Sequence, residues 1–205
     1  LNEIDFDSGW QLLTQLGLRT EELTTGSDYD HLDGSLTFFP ISPFFSIPLG
    51  APLFATAGQD DTFDWSGEVR LRSPADRRLR VSIGGFYYDF EREGRTMTNA
   101  AVSNINPQGL SLLEDTQGIE NIDAFATLDF DITDQLDISI EARYQEETKS
   151  LRELDNGPNQ AATYEQEVKF DDFIPKVILG YDINDDMSAY ASYAKGVKPG
   201  GVNGP

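Results

Sequence analysis

The stretch Asp171–Gly201, DDFIPKVILGYDINDDMSAYASYAKGVKPGG, decides the fold class. It holds two alternating runs around a tight turn: one up to Ile183, the turn Asn184-Asp185-Asp186, then Met187 to Gly196. Side chains of a strand point to alternate faces, so Phe173, Pro175, Val177, Leu179, Tyr181 and Ile183 share one side. The other side mixes Lys176, Gly180 and Asp182 with two isoleucines. Period and turn chemistry agree on a β-hairpin. One apolar face and one mixed face suit a sheet that stands between two different media.

The scheme recurs upstream. Trp10, Leu12, Thr14, Leu16 and Leu18 alternate with more polar residues, and the apolar set Phe63, Trp65, Gly67, Val69 and Leu71 alternates with Asp64, Ser66, Glu68, Arg70 and Arg72. After a turn at Ser73 to Asp76, Leu79, Val81, Ile83, Gly85 and Tyr87 share a face. Ile122 to Asp131 and Leu136 to Gln145 form a further hairpin around Thr133 to Gln135. The pattern predicts an all-β, antiparallel up-and-down meander of about seven strands. Three long polar connections are expected, at Leu23 to Asp61, Glu93 to Asn121 and Lys149 to Val168; Pro40, Pro43, Pro48 and Pro52 interrupt the first. Short turns at one end and long loops at the other are the habit of outer-membrane barrels.

Composition narrows the partners. The 205 residues carry 15 Lys+Arg against 36 Asp+Glu, a net charge of −21, which argues against nucleic acid or an anionic lipid surface. There is no cysteine, so neither a disulfide nor a thiolate metal site is available. No run of about eighteen apolar residues exists, which excludes a transmembrane helix and leaves a transmembrane barrel open. Leu1 and Pro205 both interrupt patterns, so the sequence reads as part of a longer secreted chain.

Two segments also carry a resemblance. FDDFIPKVILGYDINDDMSAYASYAKGVKPGGVN, from Phe170, is similar to the strand, turn, strand and loop found late in the barrel of TonB-dependent outer-membrane receptors, where a PK, a Tyr, an acidic turn, YASY and KPGG recur in that order. SGEVRLRSPADRRLRVSIGGFYY, Ser66 to Tyr88, resembles a second signature of those barrels. The resemblance implies that residues 1–205 are part of a large transmembrane β-barrel in a Gram-negative outer membrane, with the plug domain, TonB box and signal peptide outside them. It further implies outer-membrane lipid around the barrel, a TonB-ExbB-ExbD system as energy source, and a ferric siderophore or similar scarce solute as cargo. The alternatives are a soluble β-sandwich binding module or adhesin, and a passive porin.

Candidate chemistry is thin. Asp28, Asp30, His31 and Asp33 form a His-carboxylate cluster, but they lack the calcium-loop spacing and suit a solvated acidic loop. Asp171 and Asp172, or Glu146 and Glu147, are adjacent carboxylates; neighbours on a strand point to opposite faces, so neither pair is positioned for acid/base work. Lys195 to Gly201, KGVKPGG, lacks the strand and helix of a phosphate cradle and reads as a barrel-rim turn. No catalytic residue, metal ligand or cofactor is assigned, substrate contacts stay unassigned, and the chain is expected not to be an enzyme. Arg70, Arg72 and Arg80 on the polar face are expected to pair with plug carboxylates or with Asp and Glu of neighbouring strands. Trp10, Phe63, Trp65, Tyr87, Tyr144, Tyr181 and Tyr193 are candidate lipid-interface anchors. Leu16, Val69, Ile83, Leu128, Ile140 and Leu179 are expected to face lipid.

Overall fold

The computed structural model describes residues 1–28, 38–42, 45–48, 54–100, 110–157, 160–198 and 200–202. Among the described residues ten strands follow in chain order: β1 (Asn2–Asp5), β2 (Gln11–Asp28), β3 (Phe38–Ser42), β4 (Phe45–Pro48), β5 (Phe54–Arg72), β6 (Leu79–Ala100), β7 (Leu110–Asp131), β8 (Leu136–Gly157), β9 (Gln160–Asn184) and β10 (Met187–Ala194). Eight of them form one sheet in the order β1-β2-β5-β6-β7-β8-β9-β10, and β3 and β4 pair with each other. Every pairing is antiparallel. The meander expected from the sequence is therefore present, with β1 as an eighth strand; its four residues are too few to show a period.

Strand length departs from expectation. β6, β7 and β8 each run for 22 residues and β9 for 25, so most of Glu93 to Asn121 and of Lys149 to Val168 is ladder rather than loop. β8 ends at Gly157 and β9 begins at Gln160. Likewise, part of Leu23 to Asp61 belongs to β2 and β5. The physical reason is that backbone pairing needs no alternation of side chains. Where both faces meet water, polar residues on both sides erase the period-two signal while the hydrogen-bonded ladder continues.

The short turns hold as read, each closed by local side chains. Val81 N–H donates to Ser73 Oγ at 2.7 Å, and Ser73 N–H to the Val81 carbonyl at 2.8 Å. Thr133 Oγ1 accepts from the Gln135 and Leu136 amides at 3.1 and 3.0 Å. Asn184 Oδ1 accepts from the Asp186 amide at 3.0 Å, an Asx turn.

Register makes the face assignment testable. Leu12, Leu71, Ile83, Ala126, Ala142 and Pro175 lie in one row across five strand pairs, so apolar residues of β2 and of β5 to β9 share a face. Leu16, Val69, Ile83, Leu128, Ile140 and Leu179 all lie on that face and all are exposed. Leu151 and Asp123 are the buried apolar and charged residues among the described ones, so the sheet has no core of its own. No second sheet covers the apolar face among the described residues, and the sandwich alternative is thereby overturned: a sandwich buries the face that this sheet exposes.

Candidate functional site

The apolar band is sharply bounded. On β6 it runs from Leu79 to Tyr87, on β7 from Phe130 to Ile122, on β8 from Leu136 to Tyr144, about nine residues each, which is the length of a tilted membrane-spanning strand. Its upper edge does not follow the hydrogen-bonded rows. Tyr87 pairs with Ile122, but Ile122 pairs with Glu146, and the band on β8 stops one outward residue lower, at Tyr144, which pairs with Phe173. The lower edge slides the same way, from Leu79 opposite Phe130 to Leu136 opposite Tyr181, with Ile183 beyond. A band oblique to the rows is what strands tilted in a barrel wall require.

Aromatic rings mark the upper edge. Trp65 and Tyr87 lie with centroids 4.8 Å apart and planes tilted by 39°. The Tyr87 hydroxyl points past the band to Glu120 Oε1 at 3.2 Å, the posture of a ring with an apolar body and a wet tip. Above it the same face turns acidic, with Asp89, Glu120, Glu146 and Asp171. Lys169 sits there on Glu146 at 2.6 Å, and that hydrogen bond raises its pKa above the ordinary lysine value. From Tyr144 the β8 ladder continues to Gly157, roughly 40 Å at about 3.3 Å per residue.

The opposite face carries the charge. Arg143 pairs with the covered carboxylate of Asp123, Lys176 with Glu141 at 3.0 Å, Lys149 with Glu147 at 3.1 Å, and Arg92 with Asp60 and with Asp115 at 2.9 Å. Arg80 makes a two-pronged contact with Asp131 of β7 at 2.6 and 2.8 Å, so for this residue the neighbouring strand supplies the partner. Arg70 instead reaches Glu68 of its own strand at 2.9 Å and lies over the Phe125 ring, 4.8 Å from its centroid. Arg72 makes no ion pair among the described residues. Gly84 permits the Phe125 arrangement, because a Cβ there would collide with that ring and with the Val69 carbonyl.

The adjacent carboxylates separate as their spacing dictates. Glu146 and Asp171 are cross-strand partners on the apolar-band face, whereas Glu147 and Asp172 turn to the charged face, where they meet Lys149 and Lys195. Asp30, His31 and Asp33 lie outside the described residues, as does the side chain of Asp28. The rim-turn reading of Lys195 to Gly201 is corrected. Lys195 still bonds to β9, its N–H donating to the Pro175 carbonyl at 3.1 Å, and Gly200 lies on the charged face, where Lys149 Nζ donates to its carbonyl at 2.8 Å. Gly200 lies against Phe170 so closely that any Cβ would strike the ring. Gly200 serves close packing on the inner face of the wall, whereas Gly196 and Gly201 have open space where a Cβ would stand; spacing alone does not separate the two roles.

An antiparallel sheet with an oblique nine-residue apolar band, an aromatic border and an ion-paired reverse face is a segment of outer-membrane barrel wall. The chain belongs to the TonB-dependent receptor-like β-barrel family, whose model matches residues 2–204. No curated protein sequence matches it. Among solved structures it is similar to the ferric yersiniabactin uptake receptor of Yersinia pestis, with TM-score 0.69 and 13% identity over 93% of this chain and 26% of that one. The ferripyoverdine receptor of Pseudomonas aeruginosa gives 0.56 and 20% over 94% and 25%. The ferric-catecholate import receptor of E. coli K12 gives 0.55 and 13% over 96% and 34%. The chain thus spans a quarter to a third of the length of these receptors. At such identities the likeness is one of fold.

Proposed function

We propose that this chain is wall of an outer-membrane active-transport receptor that imports a ferric siderophore or a similar scarce solute, energised through a TonB-ExbB-ExbD system. Residues 1–205 supply part of the barrel in this reading, and gating belongs to a plug domain and TonB box outside them. The observation that carries the reading is the two-faced wall: a lipid-matched band outside and a dense ion-paired surface inside, within a chain whose family model matches almost throughout. Three of the similar structures are receptors for ferric chelates, which supports the cargo class.

The test is uptake by the full-length receptor in a Gram-negative host lacking its own iron-chelate receptors. Iron-limited growth on one or more ferric chelates, lost when TonB is removed, is the expected result. Growth that persists without TonB would reassign the protein to a passive pore.

A further inference from the structure

The charge of the chain is unevenly placed. Four of its 15 basic residues, Arg72, Arg77, Arg78 and Arg80, fall within nine positions that hold one carboxylate, Asp76, whereas the β7-β8 turn carries Asp134 and the β9-β10 turn Asp185 and Asp186. These nine positions close the β5-β6 hairpin at the short-turn end of the sheet, which faces the periplasm in barrels of this kind. The turn is fixed on two sides. Ser73 and Val81 bond each other across its base, and Pro74 lies against Gly9 of the β1-β2 turn, whose φ is +79° and where a Cβ would stand 3.0 Å from the proline ring.

Within the turn the arginines have different partners. Arg80, on the charged face, holds the Asp131 carboxylate with both prongs at 2.6 and 2.8 Å, so that carboxylate does not neutralise Arg78. Arg78 reaches the backbone at the end of β7 instead: its Nε–H donates to the Asp131 carbonyl at 3.2 Å and its Nη2 to the Ile132 carbonyl at 3.0 Å. Carbonyls fix the guanidinium without cancelling its charge, and of its five N–H donors two are used and three remain. Arg77 is 71% exposed, and Asp76, its ion-pair partner at 3.8 Å, is 80% exposed, a solvated pair of little strength. Asp7 and Asp134, in the flanking turns, pair with neither arginine among the described residues. Beside this cationic pair the apolar band ends. Leu79 follows Arg78 in the chain, Ile132 accepts its hydrogen bond, Phe130 pairs with Leu79, and all three are exposed. Two arginine heads therefore stand at the level where acyl chains give way to headgroups.

We infer that the Arg77-Arg78 turn is a binding site for an anionic phospholipid of the periplasmic leaflet. The lipid phosphate accepts from the free donors of Arg78, which β7 holds in place, and from Arg77, while the acyl chains lie along Leu79, Phe130 and Ile132. The net charge of −21 does not oppose this. The acidic residues of the outward face, Asp89, Glu120, Glu146 and Asp171, lie beyond the opposite border of the band, a membrane's thickness away and well past the screening length of about 8 Å. The apolar shelf favours a lipid over a free phosphate, because a soluble anion gains nothing from Leu79 and Ile132. The inference rests on the barrel-wall assignment and is independent of which solute the receptor transports.

The experiment uses the purified full-length receptor in detergent and reads retained lipid by native mass spectrometry. The probes are phosphatidylglycerol, zwitterionic phosphatidylethanolamine and free glycerol phosphate. Phosphatidylglycerol should be retained at about twentyfold lower concentration than phosphatidylethanolamine, and glycerol phosphate should not compete. Arg77→Gln and Arg78→Gln should each weaken phosphatidylglycerol about fivefold and leave phosphatidylethanolamine unchanged, the factor expected of one basic residue near an anionic surface. Because Arg78→Gln also removes two bonds to β7, heat-modifiable migration on gels checks its folding. If that variant is misfolded, Arg77→Gln decides, since its exposed side chain makes no hydrogen bond among the described residues. Equal retention of the two lipids, a preference that survives the substitutions, or competition by glycerol phosphate at the lipid's own concentrations overturns the site.

Discussion

Strand β8 contains two stretches of one hydrogen-bonded ladder that obey different rules. From Leu136 to Tyr144 the outward residues are Leu, Ile, Ile, Ala and Tyr; from Glu146 to Arg152 they are Glu, Thr, Ser and Arg. Backbone pairing to β7 and β9 continues through both without a break in register. The ladder, then, is indifferent to its surroundings, and the side chains record which solvent each stretch meets. In the lower stretch a wrong side chain meets lipid. In the upper one it meets water, so the same substitution should have very different consequences a few residues apart.

The largest effect should come from taking lipid and neighbours away altogether. Residues 1–205 produced alone in buffer without detergent are expected to aggregate. Leu16, Leu18, Val69, Ile83, Ile140 and Leu179 are exposed on one face, and β1 and β10 each carry an unpaired edge among the described residues. The net charge of −21 does not cover that face. Size-exclusion chromatography with circular dichroism checks this; a monodisperse, cooperatively melting monomer would falsify the wall assignment.

Next in size is a charge on the band. In the full-length receptor Ile140→Arg should cost about 2–4 kcal/mol of folding stability, whereas Thr148→Arg, outward on the same strand but above the aromatic border, should stay within about 0.5 kcal/mol. Unfolding titrations in detergent or lipid read both. Equal costs would erase the boundary placed at Tyr144.

Glycines extend the contrast from lipid to packing. Gly84→Val drives a side chain into Phe125 and the Val69 carbonyl and should cost about 1–3 kcal/mol. Gly26, in the upper part of β2, has nothing within 4 Å of where a Cβ would stand, and Gly26→Ala should change stability by less than about 0.5 kcal/mol. Comparable losses at both positions would show that the upper ladder is packed as tightly as the wall.

The same contrast explains what could be read from the sequence. Alternation located the lower stretches of β2 and β5 to β10, with the turns between them, because lipid on one side and polar groups on the other enforce a period of two. It assigned the outward face of Leu16, Val69, Ile83, Leu128, Ile140 and Leu179 for the same reason. It mistook the upper stretches for loops, since Glu93, Gly94, Arg95 and Thr96, or Glu165, Gln166 and Glu167, offer no contrast between faces. On the charged face, Arg70 was visible as a polar-face residue, and Arg143 and Phe125 lay unremarked within the hairpin of Ile122 to Asp131 and Leu136 to Gln145. Their convergence depends on register, and Arg70 over Phe125 depends on Gly84 beneath the ring. An Arg and a Phe at same-face positions two strands apart, with a Gly between them, is the only sequence trace of that stack. The segment Lys195 to Gly201 left less, for KPGG suits a turn and a close-packed strand exit equally.

The smallest effect belongs to the pair Lys169 and Glu146, just above the border on the outward face. Their contact of 2.6 Å has good geometry, and Glu146 raises the lysine's pKa by hydrogen bonding first and by charge second. A folded-state pKa above the unfolded value of about 10.4 contributes stability that is full below that pH and is lost as pH rises through the folded value. The pair is solvated, so salt screens it and ordering two long side chains offsets much of the attraction. Lys169→Gln in the full-length receptor should therefore leave stability at pH 7 unchanged within error, while the wild type alone should lose a small increment as pH rises above about 10.4. Unfolding midpoints of the two proteins, measured across that range at low and at physiological salt, check the expectation. A clear loss for Lys169→Gln at pH 7 that survives physiological salt would mean that lipid or another part of the receptor covers the pair, and would move the border between the two regimes up the strand past Glu146.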